Sequence, residues 1–93
     1  MIIAVDFDGT LQINGQPNGA LIADLRAKQA QGNIVILWTC RTWHRLKEAV
    51  TFLRQNGFMP NYVNCNAPQA VAMLKADPRK IYADVYIDDK NIR

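Results

Sequence analysis

Four apolar residues, Ile2-Ile3-Ala4-Val5, run without a break into Asp6-Phe7-Asp8-Gly9-Thr10. A short continuous apolar run bounded by a turn signal predicts a strand buried on both faces. Charged residues are almost never fully buried unless paired. The two carboxylates must therefore stand where the strand ends, at the carboxyl edge of a sheet, facing a partner such as a cation. Side chains repeat every second residue along a strand, which predicts Asp6 and Asp8 on the same side. Gly9 permits the sharp turn that follows.

The rest of the chain repeats this plan. Gln12 to Asn18 is rich in turn formers, and Asn14-Gly15 predicts a short flap or hairpin. Asn18 is the expected N-cap of a helix over Gly19 to Gln31, with an apolar stripe at Leu21, Ile22 and Leu25 and a stop at Gly32. Ile34 to Trp38 reads as a second buried strand, ending in Thr39-Cys40-Arg41-Thr42. A second helix is expected over Trp43 to Asn56, because Leu46, Ala49, Val50 and Leu53 fall at helical spacing. Asn61 to Asn64 reads as a short third strand and Pro68 to Ala76 as a short helix. Val85 to Ile87 is a fourth strand, ending in Asp88-Asp89. Strands alternating with helices predict βαβ units, an α/β fold with a parallel sheet, and right-handed crossovers. Trp38 and Trp43 are expected to pack in the core or at the rim.

Ninety-three residues make one domain, and 49% hydrophobic with 20% charged residues is an ordinary globular balance. No apolar run approaches the ~20 residues of a membrane helix. There is no basic, then apolar, leader, so no secretion signal is expected. Two cysteines, Cys40 and Cys65, do not make a disulfide framework, and with the missing leader they predict a cytoplasmic protein. A net charge of +3 suits anionic ligands without demanding nucleic acid, which stays open as a partner.

In open α/β sheets, ligands bind beyond the carboxyl ends of the strands. That edge is where Asp6, Asp8, Thr39, Arg41, Asn64, Asn66, Asp88 and Asp89 gather. Four carboxylates brought together repel one another, and a hard divalent cation resolves the conflict. Mg²⁺ binds through a few carboxylates, waters and a substrate phosphate. One histidine and two separated cysteines offer no zinc spacing. A carboxylate can also be a nucleophile, forming an aspartyl-phosphate, while a second carboxyl nearby serves as acid and base. A hydroxyl such as Thr39 and an ammonium such as Lys80 can hold phosphoryl oxygens.

Asp6-Phe7-Asp8-Gly9-Thr10, Thr39 after an apolar strand, Lys80, and Asp88-Asp89 after another apolar strand resemble, in order, the four motifs of the haloacid dehalogenase superfamily. The resemblance covers essentially the whole chain. It implies a Rossmann-like three-layer α/β/α core with strand order 4-1-2-3. It implies Asp6 as nucleophile, Asp8 as general acid and base, and Thr39 and Lys80 as phosphate holders, with Arg79 the adjacent alternative to Lys80. Mg²⁺ would be held by the Asp6 carboxylate, the Asp8 main-chain carbonyl and Asp88, with Asp89 beside it. Gly9, Thr10, Thr39, Cys40, Arg41 and Lys80 are the expected substrate contacts. The implied activity is phosphomonoester hydrolysis, since the dehalogenating members lack the second acidic residue of the first motif.

Both places where family members insert cap domains are short here, the flap at Gln12 to Asn18 and the stretch from Cys65 to Arg79. The chain therefore resembles the capless members as a single domain over 1–93, and the usual fifth strand has no room before Arg93. An uncapped site suits a bulky or macromolecular phosphorylated substrate, which Arg41, His44 and Arg45 would meet. An exposed sheet edge invites a homodimer. The competing class is a non-catalytic metal-binding or regulatory domain that keeps the fold. A receiver-type domain also uses Asp, Thr and Lys with Mg²⁺, but it wants the adjacent acidic pair after its first strand, and here that pair comes last.

Overall fold

The structure is a computed structural model and describes residues 1–90; the expected absence of a fifth strand concerns residues 91–93, which lie outside the described residues. The elements follow as β1 (Ile2–Val5), β2 (Gln12–Ile13), β3 (Gln16–Pro17), α1 (Gly19–Ala30), β4 (Ile34–Leu37), α2 (Trp43–Gln55), β5 (Tyr62–Val63), α3 (Pro68–Leu74) and β6 (Val85–Ile87). All four side chains of β1 are buried. Only a central strand is covered on both faces and bonded on both edges. β1 pairs in parallel with β4 on one side and β6 on the other, and β5 extends the sheet beyond β4. The order across the sheet is β5-β4-β1-β6.

Alternation along β1 splits the core into two layers. Ile3 and Val5 pack with Phe7, Leu11, Ile22 and Leu25, and with Ala49 and Leu53, on the face covered by α1 and α2. Ile2 and Ala4 pack with Ala67, Ala70, Ile81 and Ala83 on the face covered by α3. The sheet is thus sandwiched by three helices, and the parallel α/β reading of the sequence holds. Among the described residues, no helix is long and apolar enough to cross a membrane.

The local signals acted as their chemistry requires. Asn14 and Gly15 both take positive φ, 52° and 77°, in the tight turn between β2 and β3. The Asn18 side chain caps α1 by accepting the Leu21 N–H at 3.3 Å. Asparagines also clip the sheet edge. Asn61 Oδ1 accepts the Val35 N–H and Asn64 Oδ1 accepts the Thr39 N–H, each at 2.8 Å, so β5 is tied to β4 from both ends. Trp43 departs from expectation: it is 88% exposed rather than packed in the core.

Among the described residues, one buried side-chain polar atom is left without a partner. Thr10 is 0% exposed and its Oγ1 makes no hydrogen bond. A buried hydroxyl that has given up water without a replacement costs stability. Thr10→Val is therefore expected to stabilise the protein by about 1 kcal/mol, read as a higher urea midpoint at unchanged m-value.

Candidate active site

The register of the three central strands builds the site. Val5 lies opposite Leu37 on one side and Ile87 on the other. One step further, the Asp6 N–H donates to the Ile87 carbonyl at 2.9 Å and the Trp38 N–H donates to the Val5 carbonyl at 2.8 Å. The three strands end in step, and the residues that follow them meet. Asp6, Trp38, Thr39, Cys40 and Asp88 line one cavity of about 240 Å³. Asp6, Thr39, Cys40 and Asp88, all singled out in the sequence, are brought together there.

The turn after β1 locks onto the turn after β6. Gly9 has φ +77°, and a Cβ placed on it would stand 3.4 Å from the Asp89 Cβ. Glycine is favoured here by that backbone, and a side chain would come into contact with Asp89. The Gly9 N–H is already used, donating to the Gln12 carbonyl at 2.8 Å. Gly9 therefore sits against Asp89 with its N–H engaged rather than offered to a substrate. Thr10, also expected to touch substrate, cannot do so because it is fully buried. Its side chain fills the core beneath the turn, and its carbonyl accepts from Asn18 Nδ2 at 3.0 Å.

Electrostatics divide the two carboxylates of the first motif. Burial pushes the Asp6 carboxyl above the ordinary 3.8; the Phe7 N–H, donating to Oδ1 at 2.8 Å, works against this, and the charges of Asp8, Asp89 and Asp88 add to the rise. Asp8 moves the other way. Arg41 grips it with Nη2 to Oδ1 at 2.8 Å and Nε to Oδ2 at 3.0 Å, and this pair holds its carboxyl below the ordinary range. The Arg41 guanidinium also lies 4.7 Å from the Phe7 ring centroid and donates to the Arg45 carbonyl at 3.2 Å. The two-residue alternation expected to align Asp6 and Asp8 stops with β1 at Val5. Asp6 lines the cavity, while Asp8 turns to Arg41.

Thr39 is held from both sides. Its N–H donates to Asn64 Oδ1, and its Oγ1 accepts the Arg41 N–H at 3.2 Å. Asn64 is thus a positioning residue for Thr39; the sequence placed it at a strand end without showing what it binds. Asp88 Oδ1 accepts the Lys90 N–H at 2.8 Å.

The expected cation of the third motif is not at this cavity. Lys80 lines a different one with Leu74, Pro78 and Tyr82, and Arg79 lines another with Asn66 and Asp77. The cause is Asn66. Its Nδ2 donates to Asp77 Oδ1 at 3.1 Å and to the Pro78 carbonyl at 3.0 Å, while its Oδ1 accepts the Tyr82 N–H at 2.6 Å. These bonds pin the segment before β6 against the α3 side. Tyr86, which lines the Lys80 cavity, packs edge-on against Trp38 of the Asp6 cavity, with centroids 5.7 Å apart.

Among the described residues, no three His, Cys, Asp or Glu side chains group as a ligand set for one ion. Mg²⁺ does not need three, because it keeps waters and takes one or two carboxylates with a substrate phosphate. Asp6 and Asp88 line one cavity and are the carboxylates there that could hold such an ion; the Asp6 carboxyl is raised first by burial and then by the charges of Asp8, Asp89 and Asp88.

A larger cleft, about 550 Å³, runs along α2 and is lined by Phe7, Arg41, His44, Lys47, Glu48 and Phe52 among others. Its signal in the sequence was the polar spacing His44, Lys47, Thr51 and Gln55, one face of a helix.

A solved structure of a conserved protein from Bacteroides thetaiotaomicron is similar to this chain, with 32% identity and a TM-score of 0.83 over 99% of this chain and 78% of that one. No protein-family model matches the chain, and no curated protein matches it.

Two outcomes follow for the site. A raised carboxyl favours the folded state fully only below the ordinary 3.8, and that advantage is lost as pH rises through the raised value. Ionised Asp6 therefore costs stability at neutral pH. Asp6→Asn, which keeps the acceptor for Phe7, is expected to raise the melting temperature at pH 7, with the gain vanishing below pH 3.8. Asn64→Ala, which removes the acceptor of the Thr39 N–H in an exposed hydrogen bond, is expected to cost about 0.5–1.5 kcal/mol in a denaturant titration.

Proposed function

We propose that this chain, which belongs to the same family as the conserved Bacteroides thetaiotaomicron protein, is a magnesium-dependent phosphatase of the haloacid dehalogenase type. In this reading it is a capless member with a Rossmann-like core. The observation that carries the proposal is Asp6, a partly buried carboxylate that shares one cavity with Thr39 and Asp88, with Asp8 and Asp89 close enough to raise its carboxyl. Perturbed carboxylates in a cleft mark functional sites. The four-motif resemblance and the order β5-β4-β1-β6 support the same reading.

The chemistry follows from what each residue can do. An Asp6 carboxylate oxygen attacks phosphorus and the bond to the leaving oxygen breaks, giving an aspartyl-phosphate. Asp8 donates a proton to the leaving oxygen. Water then attacks phosphorus while the Asp8 carboxylate takes its proton, and phosphate departs with the Asp6 carboxylate restored. The Thr39 hydroxyl holds a phosphoryl oxygen. Asp6, Asp88 and the Asp8 carbonyl would hold Mg²⁺, which supplies charge neutralisation for the phosphoryl oxygens. Arg41 favours ionised Asp8, the form that accepts the proton of water.

A second reading, a non-catalytic metal-binding or regulatory domain, is favoured by one observation. Lys80 lines a cavity other than that of Asp6. In the phosphatase reading Arg41, bonded to Asp8, is the nearby positive charge.

Hydrolysis of an aryl phosphate decides between them. Turnover with Mg²⁺ that is lost on EDTA treatment and falls by at least about 10³-fold in Asp6→Asn supports the phosphatase. A wild-type protein that Mg²⁺ stabilises against heat but that releases no phosphate supports the binding domain.

A further inference from the structure

The α2 cleft and the Asp6 cavity have no lining residue in common. Asp8 connects them. It acts on Asp6 through its charge, and it is gripped by Arg41, whose side chain lines the cleft. Under the phosphatase reading, Asp8 hands its proton to the leaving oxygen. Whatever lies on the Asp8 side is then where the leaving group sits, and what lies there is the cleft.

The cleft has the chemistry of an anion site. Arg41, His44 and Lys47 line it against the single acid Glu48, over the rings of Phe7 and Phe52. Arg41 is already ordered, stacked on Phe7 and bonded to Asp8 and to the Arg45 carbonyl. Its bonds to Asp8 and to the Arg45 carbonyl use one N–H on Nε, one on Nη1 and one on Nη2. A guanidinium has five, so each terminal nitrogen keeps one to donate without releasing Asp8. Lys47 adds a compact charge from an exposed position one helical turn after His44. At about 550 Å³ the cleft is large enough for a sugar or a nucleoside.

We propose that this cleft is the leaving-group subsite and that it binds a second phosphate, so that the preferred substrates are phosphomonoesters whose leaving group carries a phosphate of its own. The proposal rests on the phosphatase reading and names its substrate class. A sugar bisphosphate and a nucleoside bisphosphate share this chemistry, and paired substrates separate them.

The test compares kcat/KM with Mg²⁺ for fructose 6-phosphate against fructose 1,6-bisphosphate, and for adenosine 5′-monophosphate against adenosine 3′,5′-bisphosphate. The expected result is a preference of about tenfold or more for the bisphosphate of at least one pair, the size of one charge-assisted hydrogen bond. Lys47→Gln is expected to lower that ratio by about threefold or more, since it removes one of the charges that hold the second phosphate. A gain in one pair alone identifies the sugar or the nucleoside as the carrier; a gain in both means that the phosphate suffices. Equal use of mono- and bisphosphates, or a preference that Lys47→Gln leaves intact, overturns the proposal. If none of the four is hydrolysed while the aryl phosphate is, the proposal falls and the phosphatase reading stands. If no phosphate ester at all is hydrolysed, the phosphatase reading fails. The leaving-group assignment fails with it, and calorimetric titration of the same four compounds then shows whether the cleft binds a second phosphate at all.

Discussion

The site depends on β1 being hydrogen bonded along both edges and buried on both faces. Such a strand has one permitted exit for a charged residue, the end of the sheet. The parallel pairing then makes the ends of β4 and β6 fall level with it, because Val5 is opposite both Leu37 and Ile87. Asp6, Thr39 and Asp88 are consequences of one register. A slip of one residue in either neighbour would turn its side chains to the opposite face and open the core at the same time. The interactions that stabilise the sheet and those that assemble the cavity are the same hydrogen bonds.

Gathering carboxylates at one edge carries an electrostatic cost, and the protein offsets it unevenly. Asp8 has Arg41, a two-pronged partner at 2.8 and 3.0 Å. The Asp8 side chain is 52% exposed, so solvent screening keeps this pair in the class worth at most about 1 kcal/mol. Its value is orientation: it fixes Arg41 over Phe7 and ties the two cavities together. Among the described residues Asp6 has the Phe7 N–H alone, and its carboxyl stays raised. Strain of this kind is retained where chemistry needs it. Burial is the first cause of that rise, and the neighbouring carboxylates add to it.

Much of the fold was legible in the residues. The run Ile2 to Val5 was a central strand because nothing in it interrupts burial. Asn14-Gly15 made its hairpin because asparagine and glycine tolerate positive φ. The helices α1 and α2 begin at Gly19 and Trp43, where Asn18 and the apolar spacing placed them. Legibility failed where a side chain's partner lies far along the chain. Thr10 reads as a polar motif residue, yet the turn tucks it under Asn18 and closes it from solvent. Lys80 reads as a site cation, yet Asn66, sixteen residues before Tyr82, anchors that segment elsewhere. Arg41 reads as a rim residue waiting for substrate, yet it is bonded to Asp8, thirty-three residues away.

The sequence alone determined the element order, the parallel α/β class and the clustering of acidic residues at strand ends, because burial and turn formation are decided by neighbours along the chain. Tertiary structure alone decided which of those residues share a cavity, which face away, and which carboxylate is paired. Those outcomes depend on strand register and on long-range hydrogen bonds from Asn64, Asn66 and Arg41, and no local spacing encodes them.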